Sequence, residues 1–153
     1  MAQWEALRQA GLPSQADHRR MTNAPHLTLV AARGIDPALV APAAETIGPL
    51  LPATLTVRGL VVLGDGPRVT IAHLVEPSAD LARAALRLRD LVPTVRHPVW
   101  TPHVTLVRRL PRRHLARALE VLHAAEPVRH LVADRLRWWD PDLNTIETVA
   151  GPG

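Results

Sequence analysis

Pro25-His26-Leu27-Thr28-Leu29-Val30 returns later as Pro102-His103-Val104-Thr105-Leu106-Val107, with one conservative exchange in six positions. A lone H-x-T would be unremarkable in a chain of this composition. Two copies that share their flanking Pro, Leu and Val are a different observation. They lie about half the chain apart, and each is followed by a helical pattern. The pair therefore reads as an internal duplication.

Each copy is short, rich in Leu, Val and Thr, and entered through proline, which predicts a β-strand. Successive side chains of a strand point to opposite faces. His26 and Thr28 then share one face while Leu27 and Leu29 face a core, and His103 and Thr105 do the same against Val104 and Leu106.

After the first copy, Asp36-Pro37 supplies a helix cap and first turn, and Leu39, Val40, Ala43, Ile47 and Leu50 follow at helical spacing. Two strand-like runs, 55–63 and 69–75, are separated by the turn Gly64-Asp65-Gly66-Pro67. Ser78-Ala79-Asp80 opens a second helix burying Leu81, Ala84, Ala85, Leu88 and Leu91. A proline-bearing loop, 93–102, leads into the second copy. A further helix over about 112–124 buries Leu115, Leu119 and Leu122. Strands near 128–139 and 145–149, turned at Asp140-Pro141-Asp142, complete the chain. The order strand, helix, strand, strand is thus expected twice. One more helix is expected at 3–10, stopped by Gly11.

A chain of 153 residues suits one compact domain spanning 1–153, and 47% apolar residues suffice for a buried core. No apolar run reaches the 18 or so residues of a membrane helix. The opening MAQWEALRQAGL lacks the basic end and apolar stretch of a signal peptide. A soluble cytoplasmic protein with no membrane partner is expected, with the oligomeric state left open. Cysteine is absent, which excludes disulfides, thiolate nucleophiles and cysteine-based zinc sites. No spacing of histidines and carboxylates suggests a metal site either, so neither metal nor cofactor is expected. The formal charge of +4 is carried without a single lysine. Such a balance favours an anionic partner, and guanidinium suits phosphate.

Two imidazoles and two hydroxyls converging on one pocket would suit one reaction class. Histidine titrates near neutrality, so one ring can be neutral and the other protonated. The neutral ring takes a proton from an attacking water or hydroxyl, and the protonated ring gives one to the departing oxygen of an in-line phosphorus. The threonine hydroxyls can donate to non-bridging phosphoryl oxygens.

The paired PHLTLV and WTPHVTLVRRL segments resemble the two-histidine phosphoesterase superfamily, and within it the bacterial 2′-5′ RNA ligase-like proteins. ALRQAGLPS (6–14) and LRWWD (136–140) resemble the helix before the first motif and the closing strand of those proteins. The resemblance implies a bilobal α+β fold: two antiparallel sheets with helices outside, a central cleft and a pseudo-two-fold duplication. It implies His26 and His103 as acid and base in an undetermined order, with Thr28 and Thr105 as phosphate contacts. The implied substrates are RNA or nucleotides with 2′,3′-cyclic phosphates, or 2′-5′ phosphodiesters, cleaved or reversibly joined without a cofactor. Relatives usually carry a strand before the first helix. This chain starts inside that helix, so an open sheet edge is expected.

Two other functions stay open on sequence: a phosphodiesterase for another small cyclic nucleotide or an ADP-ribose cyclic phosphate, and an RNA-binding module without turnover. Outside the motifs, His73 and His97 read as structural histidines, and His18, His114, His123 and His130 as surface residues. Arg108, Arg109, Arg112, Arg113 and Arg117 form the densest basic cluster, expected as a solvated face rather than an RNA contact. Trp138 and Trp139 should point to opposite faces of their strand, one toward the core. Trp100 should brace the loop before His103.

Overall fold

The computed structural model describes residues 2–17, 24–140 and 142–152. His18 and Pro141, each named above, lie outside them. The fold is α+β, and its described residues form two compact units. One is drawn from Met1–His26, Val57–Val75 and His103–Arg129, the other from Leu27–Thr56, Glu76–Pro102 and His130–Gly153.

In the first unit, α1 (Ala2–Gln9) carries Glu5 in its first turn and Arg8 in its last, each favourable to the helix dipole. It ends at Gly11, whose φ of 69° lies in the left-handed region that glycine adopts freely. Strands β1 (Ala53–Leu63) and β2 (Arg68–Glu76) flank the expected turn. β3 (His103–Pro111) is antiparallel to β2 and holds the second motif. α4 (Leu115–Ala124) follows a 3-10 turn over Arg112–His114. Trp4, Leu7 and Leu12 pack with Val69, Ile71, Leu106, Val107 and Leu110, and with Ala118 and Leu122 of α4. Leu115 and Leu119 are only partly buried, against the margin of that cluster.

In the second unit, Asp36 accepts a hydrogen bond from the Ala38 N–H at 2.9 Å, and Pro37 opens the turn that leads into α2 (Val40–Ile47). Ser78 caps α3 (Ala79–Asp90) through the Leu81 N–H. α2 packs on α3 and on the two-stranded antiparallel sheet of β5 (Leu136–Asp140) and β6 (Thr145–Ala150). β4 (His130–Ala133) pairs with the first residues of β1, Ala53 to Thr56, and completes a four-stranded sheet of order β3-β2-β1-β4.

Three expectations need correction. The first H-x-T copy is not a regular strand: between 25 and 32, Leu27 and Ala32 are isolated bridge residues. Segment 28–32 does run antiparallel to 95–100, linked by the Trp100 Nε1–H to the Thr28 carbonyl at 3.0 Å, Arg96 N–H to Ala31 O at 2.7 Å, and an Ala32–Val95 bridge. But the stretch that faces 25–32 carries Pro98 and Pro102, which have no N–H to donate to a ladder. Pairing therefore stays intermittent. The expected strand over 128–139 divides into β4 and β5, which belong to different sheets. The break falls at Asp134-Arg135, where the two side chains pair with each other at 3.0 Å. Leu91, expected on the buried face of the second helix, lies beyond the end of α3 and is 52% exposed.

Candidate active site

The second motif adopts the alternation expected of it. Val104 and Leu106 are buried in the first unit, whereas His103 and Thr105 are half-buried on the other face of β3. The strand register supports that division. His103 lies opposite Leu74 and Thr105 opposite Ala72, and partners opposite each other in an antiparallel pair share a face. Ala72 has no long side chain to crowd the threonine.

β3 loses register with β2 twice just beyond Thr105. Between Thr105 and Val107 it spends two residues against one step of β2, so Leu106 and Val107 both enter the core. Between Val107 and Leu110 it spends one residue more than β2, and there Arg109 takes a φ of 56°. These are β-bulges, which bend a strand and re-aim its side chains.

The first motif is held differently. His26 is exposed, and its Nδ1 lies 2.9 Å from the Ala24 carbonyl oxygen. If Nδ1 carries the proton of that contact, Nε2 presents its lone pair outward. Thr28 is exposed, and its carbonyl takes the Trp100 indole N–H, so Trp100 braces the first motif from the loop that enters the second. Arg89 of α3 ties the same two stretches together. Its side chain is 93% buried and donates from Nη1 to the Leu29 carbonyl at 2.9 Å and from Nη2 to the His97 carbonyl. His26, His103 and Thr105 belong to the first compact unit and Thr28 to the second.

His73 is absent from the motif face. It lies opposite Val104, on the core side of β2, 95% buried, with Nε2 2.6 Å from Gln3 Oε1 of α1. Burial lowers its pKa below the usual 6.5, and its Nδ1 has no hydrogen-bond partner among the described residues. It is a structural histidine, as expected. His97 contributes its backbone carbonyl to Arg89 while its ring is exposed. His123 and His130 are exposed, and His114 is half-buried.

The basic cluster is partly structural. Arg112 donates to the carbonyls of Gly66 and Gly64 in the β1–β2 turn, and Arg117 to that of Ala10 at the end of α1. Trp138 is half-buried and Trp139 59% exposed on alternate faces of β5. Among the described residues, no three His, Asp or Glu side chains group as a metal site, and no helix is long and apolar enough to cross a membrane.

Sequence reading missed Arg89. Its signal was present but ambiguous: an arginine at a position continuing the apolar stripe Leu81, Ala84, Ala85, Leu88. Arginine more often leaves such a face for solvent than turns inward.

Against known proteins, the family model described as the 2′-5′ RNA ligase superfamily matches residues 1–145, which include both H-x-T motifs, Arg89 and Trp100. No curated protein and no solved structure matches the chain. With nearly its whole length matched, the chain belongs to the 2′-5′ RNA ligase superfamily of two-histidine phosphoesterases.

Proposed function

We propose that this protein opens 2′,3′-cyclic phosphates on RNA or nucleotides, with His26 and His103 as the acid–base pair and Thr28 and Thr105 as phosphoryl contacts. Water attacks phosphorus and gives its proton to the neutral ring. The bond from phosphorus to one ribose oxygen breaks, and that oxygen takes the proton of the other ring. One water is consumed, and a phosphomonoester and a free hydroxyl result. Run backward from those ends, the same proton transfers would close the ring. With a ribose hydroxyl in place of water, they would join two RNA ends. Both threonine hydroxyls donate to the non-bridging oxygens while charge builds on them. The acceptor of the water's proton, the donor to the departing oxygen and the hydrogen bonds to the phosphoryl group are all side chains, so the scheme requires no metal.

One observation carries the reading beyond family membership. Segments 28–32 and 95–100 run antiparallel and are pinned by Trp100 and Arg89. Going back along the first toward His26 and forward along the second toward His103 follows the same direction of that pairing. The chain geometry thus favours one shared site over two separate ones.

The test is turnover of 2′,3′-cyclic nucleotides, cyclic-phosphate-ended RNA and ADP-ribose cyclic phosphate, with and without EDTA. Turnover of at least one substrate is expected to survive EDTA. His26→Ala and His103→Ala should each lower kcat by about 10²–10⁴-fold. Near-normal rates in both variants, or tight RNA binding with no turnover of any substrate, would overturn the proposal.

A further inference from the structure

Ala32 and Val95 form an antiparallel bridge in the second unit. Their flanking residues Arg33 and Thr94 therefore stand opposite each other on one face. Arg96, two residues beyond Thr94, returns to that face. These three side chains line a hollow of about 320 Å³. Arg33, Thr94 and Arg96 are all exposed. Neither guanidinium meets a carboxylate among the described residues, whereas Arg8, Arg83 and Arg135 each pair with one. Two unneutralised guanidinium forks and a hydroxyl around one hollow present donors and no acidic group. That is the chemistry of a phosphate site.

Its location gives it a use. The hollow lies on the paired segments that also carry Thr28, and five residues of chain cannot hold the Thr28 and Arg33 Cα atoms more than about 18 Å apart. We propose that Arg33, Thr94 and Arg96 form a subsite for a second phosphate of the substrate. It would grip the backbone of an RNA strand next to the nucleotide whose cyclic phosphate is opened. The inference rests on the reading of the motifs given above and specifies the substrate class: an oligoribonucleotide rather than a mononucleotide. Sequence did not point here, because the two arginines are 63 positions apart and neither lies in the dense 108–117 cluster.

Binding and turnover separate this inference from the reading it rests on. Affinity for a short RNA ending in a 3′-phosphate, which has no cyclic phosphate to open, is measured by fluorescence anisotropy across a salt series. The proteins are the unaltered chain, Arg33→Ala/Arg96→Ala, the same pair changed to Lys, and Arg83→Ala/Arg87→Ala, which removes equal charge from α3. The Arg33→Ala/Arg96→Ala protein should bind about 10-fold or more weakly, with a salt slope lower by about 0.7 for each phosphate no longer neutralised. The lysine pair should recover part of the affinity, and the α3 control should match the unaltered chain. In turnover, kcat/KM should fall on cyclic-phosphate-ended RNA and stay unchanged on a 2′,3′-cyclic mononucleotide.

Equal loss in the α3 control would reduce the effect to general charge and overturn the subsite. Unchanged RNA binding in Arg33→Ala/Arg96→Ala, or equal kcat/KM losses on both substrates, would overturn it too. Arginine-dependent RNA binding in a protein that turns over no cyclic phosphate would keep the subsite and sink the catalytic reading instead.

Discussion

Arg89 is a cation 93% buried whose guanidinium serves two backbone carbonyls, Leu29 beside the first motif and His97 before the second. Truncating it would leave both oxygens without their donor. Arg89→Ala is therefore expected to cost about 2–4 kcal/mol, read from urea unfolding, and to lower turnover as the two stretches lose their tie. Arg89→Lys should restore only part of either, because one ammonium lacks the planar fork that reaches both carbonyls. His73 is the second residue whose burial has a measurable consequence. The folded state holds its pKa below 6.5, so between the two values the unfolded chain binds more protons than the folded one. The stability this neutral ring contributes is complete above about pH 6.5 and declines as pH falls below it. Urea midpoints measured from pH 7.5 to pH 5 should show the decline, and His73→Leu should flatten it. An equally steep decline in that variant would place the titration elsewhere.

Among the elements, β3 departs furthest from a regular pattern. Its alternation holds for His103 through Leu106 and then breaks, because two extra residues are absorbed against β2 before Leu110. Arg109 takes the strain of the second bulge at φ 56°, a region that costs an ordinary side chain about 1–2 kcal/mol and a β-branched one more. Stability in denaturant should therefore rank Arg109→Gly above the arginine by about 0.5–1 kcal/mol, and Arg109→Val below it by at least about 1 kcal/mol. The reverse order would mean that the bulge is relaxed in solution. The first motif shows the opposite behaviour. Its composition suits a strand as well as the second copy does, yet prolines in the segment that faces it withhold the donors a ladder needs. Strand character there depends on the partner, not on the motif's own residues.

Across the whole molecule, long-range ties set what the motifs can do. The Trp100 indole N–H reaches the Thr28 carbonyl from 72 positions away. Trp100→Phe keeps an aromatic ring and removes only that donor. It should lower kcat/KM several-fold while costing no more than about 1.5 kcal/mol in thermal or urea unfolding. An unchanged kcat/KM would leave the indole a packing role only. Local order was readable from composition: the helix stops and caps at Gly11, Asp36-Pro37 and Ser78, the hairpin at 64–67, and the family, through two repeated H-x-T strings. Each cap, turn and H-x-T string is written in residues within a few positions of one another, where propensity and hydrogen bonding act directly, and the family follows from comparing two such local strings. The split of 128–139 between two sheets, the bulges of β3, the inward turn of Arg89 and the meeting of Arg33 with Arg96 were not readable. Each is decided by which backbone donors and which distant segment come to face a residue, and only the folded chain sets that.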